Sequence, residues 1–152
     1  MRFLLTLLTA TLFWFFTTAT AQSLDRKLYE AVLKNQPAKV NKLVDEGADV
    51  NYTFKMNSAF YINVLMQATM QNYTDVAVLL IKRGADVNAT DGFKMTPLMW
   101  AAHHGNLPLP KLLIDNGAKP DADDGLGNTP LKAAKDRKHK EVVSYLESLG
   151  AK

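Results

Sequence analysis

Two clusters in this sequence carry side chains able to bind a metal or move a proton: His103-His104 and Asp121-Ala122-Asp123-Asp124-Gly125. Adjacent residues on a helix point about 100° apart, so the histidine pair cannot chelate one ion alone. A calcium loop of the EF-hand kind, counted from Asp121, requires glycine at its sixth place and glutamate at its twelfth. Leu126 and Lys132 stand there instead. The chain has no cysteine, which excludes thiolate zinc sites, cysteine nucleophiles and disulfide scaffolds. There is no His-x-x-x-His, no phosphate-binding glycine loop, and no Ser/His/Asp set that can be assembled. No catalytic residue, metal ligand or cofactor is therefore expected, and both histidines read as surface residues of a helix. Asn51-Tyr52-Thr53, Asn72-Tyr73-Thr74 and Asn88-Ala89-Thr90 match the N-glycosylation acceptor pattern.

The elements that position these residues repeat along the chain. Thr96-Pro97-Leu98 recurs as Thr129-Pro130-Leu131, a spacing of 33 that Gly84-Ala85, Gly117-Ala118 and Gly150-Ala151 share. Gly47-Ala48-Asp49-Val50-Asn51 recurs as Gly84-Ala85-Asp86-Val87-Asn88 at the longer spacing of 37. A period of this length marks a repeat architecture. Threonine can cap the free amides at a helix start, and the proline after it has the right φ and no N–H to waste. Leu98, Ala101 and Ala102 share one helical face, where alanine lets neighbouring helices approach closely. Gly105 suits the left-handed turn that ends this helix, a place taken elsewhere by Asn35, Asn72 and Lys138. Leu112, Leu113 and Ile114 supply the apolar face of the next helix, and Pro108 and Pro110 fall in its first turn.

These motifs resemble ankyrin repeats, whose unit is a β-turn and two antiparallel helices. The family's Thr-Pro-Leu-His-x-Ala-Ala pattern stands as Thr96-Pro97-Leu98-Met99-Trp100-Ala101-Ala102 and again from Thr129 to Ala134. The resemblance implies an all-α fold, an ankyrin repeat solenoid of about four helix-turn-helix units with β-turn fingers. The units fall at about 24–51, 58–90, 91–123 and 124–152. The first is an N-terminal cap opening near Ser23 or Asp25, and the last is polar outside, as a terminal repeat must be. The longer first spacing puts an enlarged loop around Tyr52 to Asn57. Asn51 and Asn88 are asparagines of the repeat itself, so their glycosylation matches read as incidental.

In ankyrin proteins the turn before Thr-Pro-Leu projects toward the partner. On the 33-residue period Phe60, Phe93 and Leu126 form one column of turn tips, and Ile62, Met95 and Asn128 a second. A glycine column of the family is occupied by Tyr61 and Lys94, and only Gly127 keeps it. Exposed turns are usually polar, so apolar tips suggest an interaction strip. The alternative is that these side chains fold back onto the neighbouring hairpin. Beside the strip the first helices offer Met70, Gln71, Trp100, His103, His104 and Lys135 as a mixed floor.

Residues 1–21 read as a leader. Met1-Arg2 is followed by an apolar run from Phe3 to Phe16 and an Ala19-Thr20-Ala21 end, the layout of a cleaved signal peptide. The alternative is an uncleaved membrane anchor, though threonines and small residues dilute its last third. The expected product is periplasmic or extracellular, with residues 22–152 as the repeat domain. Its net charge, +3 for the whole chain, comes without an arginine cluster or RNA-binding motif, so nucleic acid is not an expected partner. The leading expectation is a monomeric, non-enzymatic module that binds another protein. Resemblance to small exported bacterial ankyrin proteins implies two roles: supporting a periplasmic catalase or peroxide resistance, or immunity against a toxic effector. A haem or small-ligand carrier is the reading of another class, with His103 or His104 as ligand and Trp100 or Met99 lining it.

Overall fold

A computed structural model describes residues 22–57 and 59–152. The expected leader, residues 1–21, lies outside the described residues. Eight helices and one small sheet are present among them. The described part of α1 covers residues 22–33. After it come α2 (Pro37–Asp45), β1 (Thr53–Lys55), β2 (Tyr61–Asn63), α3 (Val64–Met70) and α4 (Thr74–Lys82). The chain then continues through α5 (Pro97–His104), α6 (Pro108–Asp115), α7 (Pro130–Asp136) and α8 (Lys140–Ser148).

The first helix of each later unit starts as its cap residue dictates. Asn63, Thr96 and Thr129 are extended, and their side-chain oxygens accept the amides of Met66, Met99 and Lys132 at 2.7, 3.3 and 3.2 Å. Pro97 and Pro130 follow at the first helical position, where no intrahelical acceptor is lost. Each pair of helices reverses through one left-handed residue: Asn35, Asn72, Gly105 and Lys138, with φ of 50°, 57°, 76° and 61°. The lysine therefore holds the turn despite its side chain. At Gly105 the choice is stricter, because the His139 ring occupies the place a Cβ would take.

The first helices α3, α5 and α7 pack side by side, and α2, α4 and α6 form the row behind them. Their shared core runs from Leu28 through Leu65, Leu80 and Leu98 to Leu113. A smaller cluster, including Ala102, Leu131, Ala134, Val142 and Leu146, closes the C-terminal end. Between units, Asn51 accepts the Asp86 amide at 2.8 Å, and Asn88 accepts that of Lys119 at 3.0 Å. Their amide groups donate onward to the Gly84 and Gly117 carbonyls. Each asparagine is thus a bracket joining its unit to the next.

Two expectations are corrected. The enlarged loop after Tyr52 is largely strand: β1 pairs antiparallel with β2, Phe54 opposite Ile62, so the fold is not purely helical. The pairing is held from below, since Phe54 stacks on Tyr29 at 4.5 Å and Ile62 is fully buried. The cap unit is helical from residue 22, the first described residue and next to the expected opening near Ser23 or Asp25. Asp25 accepts the Asp49 amide at 2.7 Å. On α6, Leu109 and Leu113 are the fully buried leucines and Leu112 is only half-buried.

Candidate partner-binding surface

Two buried aspartates build the fingers. Asp91 accepts the amides of Phe93 at 2.8 Å and Met95 at 3.0 Å, and its second oxygen accepts the Trp100 indole N–H at 3.2 Å. Asp124 does the same for Leu126 and Asn128 at 2.8 and 3.0 Å, and takes the Asn128 side-chain amide at 2.6 Å. The Asn128 bond first, and then the backbone amides, hold the Asp124 carboxyl below its ordinary range. Each turn closes inward on a carboxylate, so the residue at its tip must face solvent. Phe93 is 66% exposed and Leu126 is 85% exposed.

The first finger is the tip of the β1–β2 hairpin. Phe60 is half-buried, its ring tilted against Phe93 with centroids 5.0 Å apart. Gly92 permits this approach, because a Cβ there would press on the backbone of Ala59 and Phe60. Its amide also donates to the Tyr61 carbonyl at 3.1 Å. Of the expected column, Phe93 and Leu126 stand exposed at their turns, whereas Phe60 is folded against the neighbouring finger.

The second column is divided. Met95 is half-buried beside the groove. Asn128 is half-buried and committed to Asp124, and its side-chain Oδ1 accepts from Lys132 at 2.8 Å. Ile62 cannot touch a partner: it is fully buried, because alternation along β2 turns it beneath the hairpin.

On the inner helices, Trp100 is half-buried and meets the His103 ring edge-on at 6.0 Å. His103 is half-buried, and its Nε2 accepts the Arg137 Nε–H at 2.7 Å. Burial first, and then Arg137, His104 and His139, keep its pKa below the ordinary histidine value. His104 is exposed, its ring 5.5 Å from that of His103. Gln71 is exposed at the end of α3, while Met70 packs partly into the core. Lys135 is exposed but paired with Glu147 of α8 at 2.8 Å, which ties it to the second helix of its own unit.

Among the described residues no group of three His, Cys, Asp or Glu could hold a metal ion. Met99, weighed as lining for a haem, is fully buried, with its sulfur accepting the Thr96 amide at 3.4 Å. A groove of about 570 Å³ does lie between the second and third fingers. Phe93, Lys94, Met95, Trp100 and Leu126 line it, with Asp124 and Asn128 at its far wall. Sequence reasoning weighed Asp124 within the candidate calcium loop and named neither it nor Asp91 as the acceptor that builds a finger. Their signal was the matching Asp-Gly pairs at 91–92 and 124–125, one period apart.

A family model described as ankyrin repeats (3 copies) matches residues 28–124 and 65–152. The chain belongs to the ankyrin-repeat family. A 60-residue stretch is 37% identical to ankyrin repeat protein FPV244 of fowlpox virus (strain NVSL). That stretch is 40% of this chain and 9% of the viral protein, so the chain spans only a small part of that relative's length. In this ankyrin-repeat protein the most exposed large apolar side chains are Leu126 at the third finger and Phe93 at the second, with Met56 and Tyr61 also exposed on the β1–β2 hairpin. No described helix is long and apolar enough to cross a membrane.

Proposed function

We propose that this ankyrin-repeat protein is a non-enzymatic module that binds another protein through its finger tips and first helices. The observation that carries this reading is the pair of apolar tips, Phe93 and Leu126, held outward by buried aspartates around an open groove. Large apolar side chains on exposed turns cost solubility and add little to the fold, whereas at interfaces such anchors contribute much of the affinity. The helix pairs form a solenoid stiff enough to present these tips without reorganisation, and the protein acts as a monomer.

Export is part of the proposal, resting on the charged start, apolar run and Ala19-Thr20-Ala21 end. Cleavage after Ala21 makes Gln22 the first residue and puts the module in the periplasm or outside the cell. Intact-mass measurement on protein from its native host tests this, and Met1 retained in a membrane fraction would refute it. Two finer roles follow from likeness to small exported bacterial ankyrin proteins: support of a periplasmic catalase or peroxide resistance, and immunity against a toxic effector.

The binding reading is tested by capturing partners on wild-type protein and on Phe93→Ser, with thermal melting alongside. Expected are a stability change within about 1 kcal/mol and a loss of affinity of about 2 kcal/mol or more. A collapsed melt, or capture unchanged at unchanged stability, removes the reading.

A further inference from the structure

The groove between the second and third fingers continues inward. Met95 and Asn128 border both it and an adjoining depression lined by His103, Ala133, Asp136 and Arg137. One trough therefore runs from the tips of Phe93 and Leu126 to the ends of α5 and α7. Its charges are unevenly disposed. Asp91 and Asp124 are buried and spent on backbone amides, the Trp100 indole and the Asn128 side chain. Asp123 turns its carboxylate to the Gly125 amide, and Asp136 lies 3.4 Å from Lys132. The cations are open. Lys94 stands on the wall at the tips and Arg137 at the inner end, both exposed. Neither forms an ion pair with a carboxylate among the described residues. Arg137 gives His103 only its Nε–H, which leaves the terminal guanidinium nitrogens available for a forked contact.

An apolar middle with unpaired cations at both ends has a complementary ligand. We propose that the trough receives an extended acidic segment of the partner protein. The segment seats one aromatic or branched apolar side chain between Phe93 and Leu126, with carboxylates toward Lys94 and Arg137. This rests on the protein-binding reading and gives its partner a chemistry. Basic segments meet like charge at both ends, and although both cations are exposed and screened by salt, that repulsion disfavours them against acidic ones.

The test uses purified full-length chain and three labelled ten-residue peptides, read by fluorescence anisotropy. One carries glutamates around a single phenylalanine, one lysines around the same phenylalanine, and one the glutamates around alanine. Saturable binding is expected for the first, with the other two at least about tenfold weaker. Added salt weakens the first, as it must where exposed charges contribute. Lys94 has φ of 61°, a conformation glycine takes without strain, so Lys94→Gly preserves or raises the melting temperature. Binding of the acidic peptide should nevertheless weaken about threefold or more in Lys94→Gly and in Arg137→Gln.

Equal binding of the lysine peptide overturns the inference, as does unaltered binding in both variants, or no saturation below about 1 mM. A single-stranded oligonucleotide that competes as well as the acidic peptide overturns it too, by showing a generic polyanion site. Suppose Phe93→Ser loses the native partner while Lys94→Gly and Arg137→Gln keep it. The binding reading then stands and the acidic segment falls. If Phe93→Ser also keeps the partner, both fall.

Discussion

Arg137 donates its Nε–H to His103 Nε2 across 2.7 Å, joining the last unit to the one before it. Because a guanidinium can only donate, His103 must present a lone pair at Nε2 and, as a neutral ring, carry its proton on Nδ1. That Nδ1 is buried without a partner. His139 closes the same joint, its Nε2 2.9 Å from the His103 carbonyl and its ring over Gly105. The three histidines of the chain thus meet at one inter-unit contact.

The contact makes stability pH-dependent in a fixed direction. The His103 pKa is lowered in the folded protein, by burial first and then by Arg137, His104 and His139, so the unfolded chain binds more protons. Its contribution is complete above the ordinary histidine pKa of about 6.5 and is lost as pH falls from there through the lower folded value. Melting temperatures across this window should decline in the wild type and less in His103→Gln, which keeps an acceptor and cannot titrate. Equal slopes would show that His103 is not the group responsible.

Leu113 and Leu112 should separate sharply. Leu113 is fully buried in the main core, so Leu113→Ala should cost about 2–5 kcal/mol. Half-buried Leu112 should lose only about 1 kcal/mol on the same change. Chemical denaturation of the two variants measures the difference. Units depend on their neighbours, so the Leu113 variant should unfold the whole array.

Asp91 should matter more to the second finger than its tip does. Asp91→Ala leaves two amides and the Trp100 indole N–H without their acceptor, at a cost of about 1–3 kcal/mol. Asp91→Asn keeps one oxygen for the two amides and loses the indole contact. The Trp100 indole resonance should move in both variants, while the Phe93 amide moves strongly only in the alanine variant.

Gly105→Ala should destabilise by about 1–3 kcal/mol. Alanine is disfavoured at φ of 76°, and its methyl would enter the space of the His139 ring. Removing that ring as well, in Gly105→Ala with His139→Ala, should not add the two costs in full. A double-mutant cycle by thermal melting reads this.

The sequence by itself determined the period, the helix starts and the helix reversals. Each depends on a few neighbouring residues: a cap oxygen three positions from the amide it accepts, a proline at the first turn, a left-handed residue at each reversal. It also put Phe60, Phe93 and Leu126 in one register, because equal spacing in a repeat means equal place in the unit. Which of the finger residues face solvent was decided only by the tertiary structure. Ile62 shares its column with Met95, yet the pairing of β1 with β2 turns it into the core. Lys135 and His103 share a floor on paper, but a carboxylate from α8 claims the lysine, and Arg137, which the floor did not include, reaches the histidine. Leu112 and Leu113 are both apolar, and only the direction in which α6 meets its neighbours makes one core and the other half-exposed. These outcomes depend on groups distant along the chain, whose positions relative to one another no local spacing encodes.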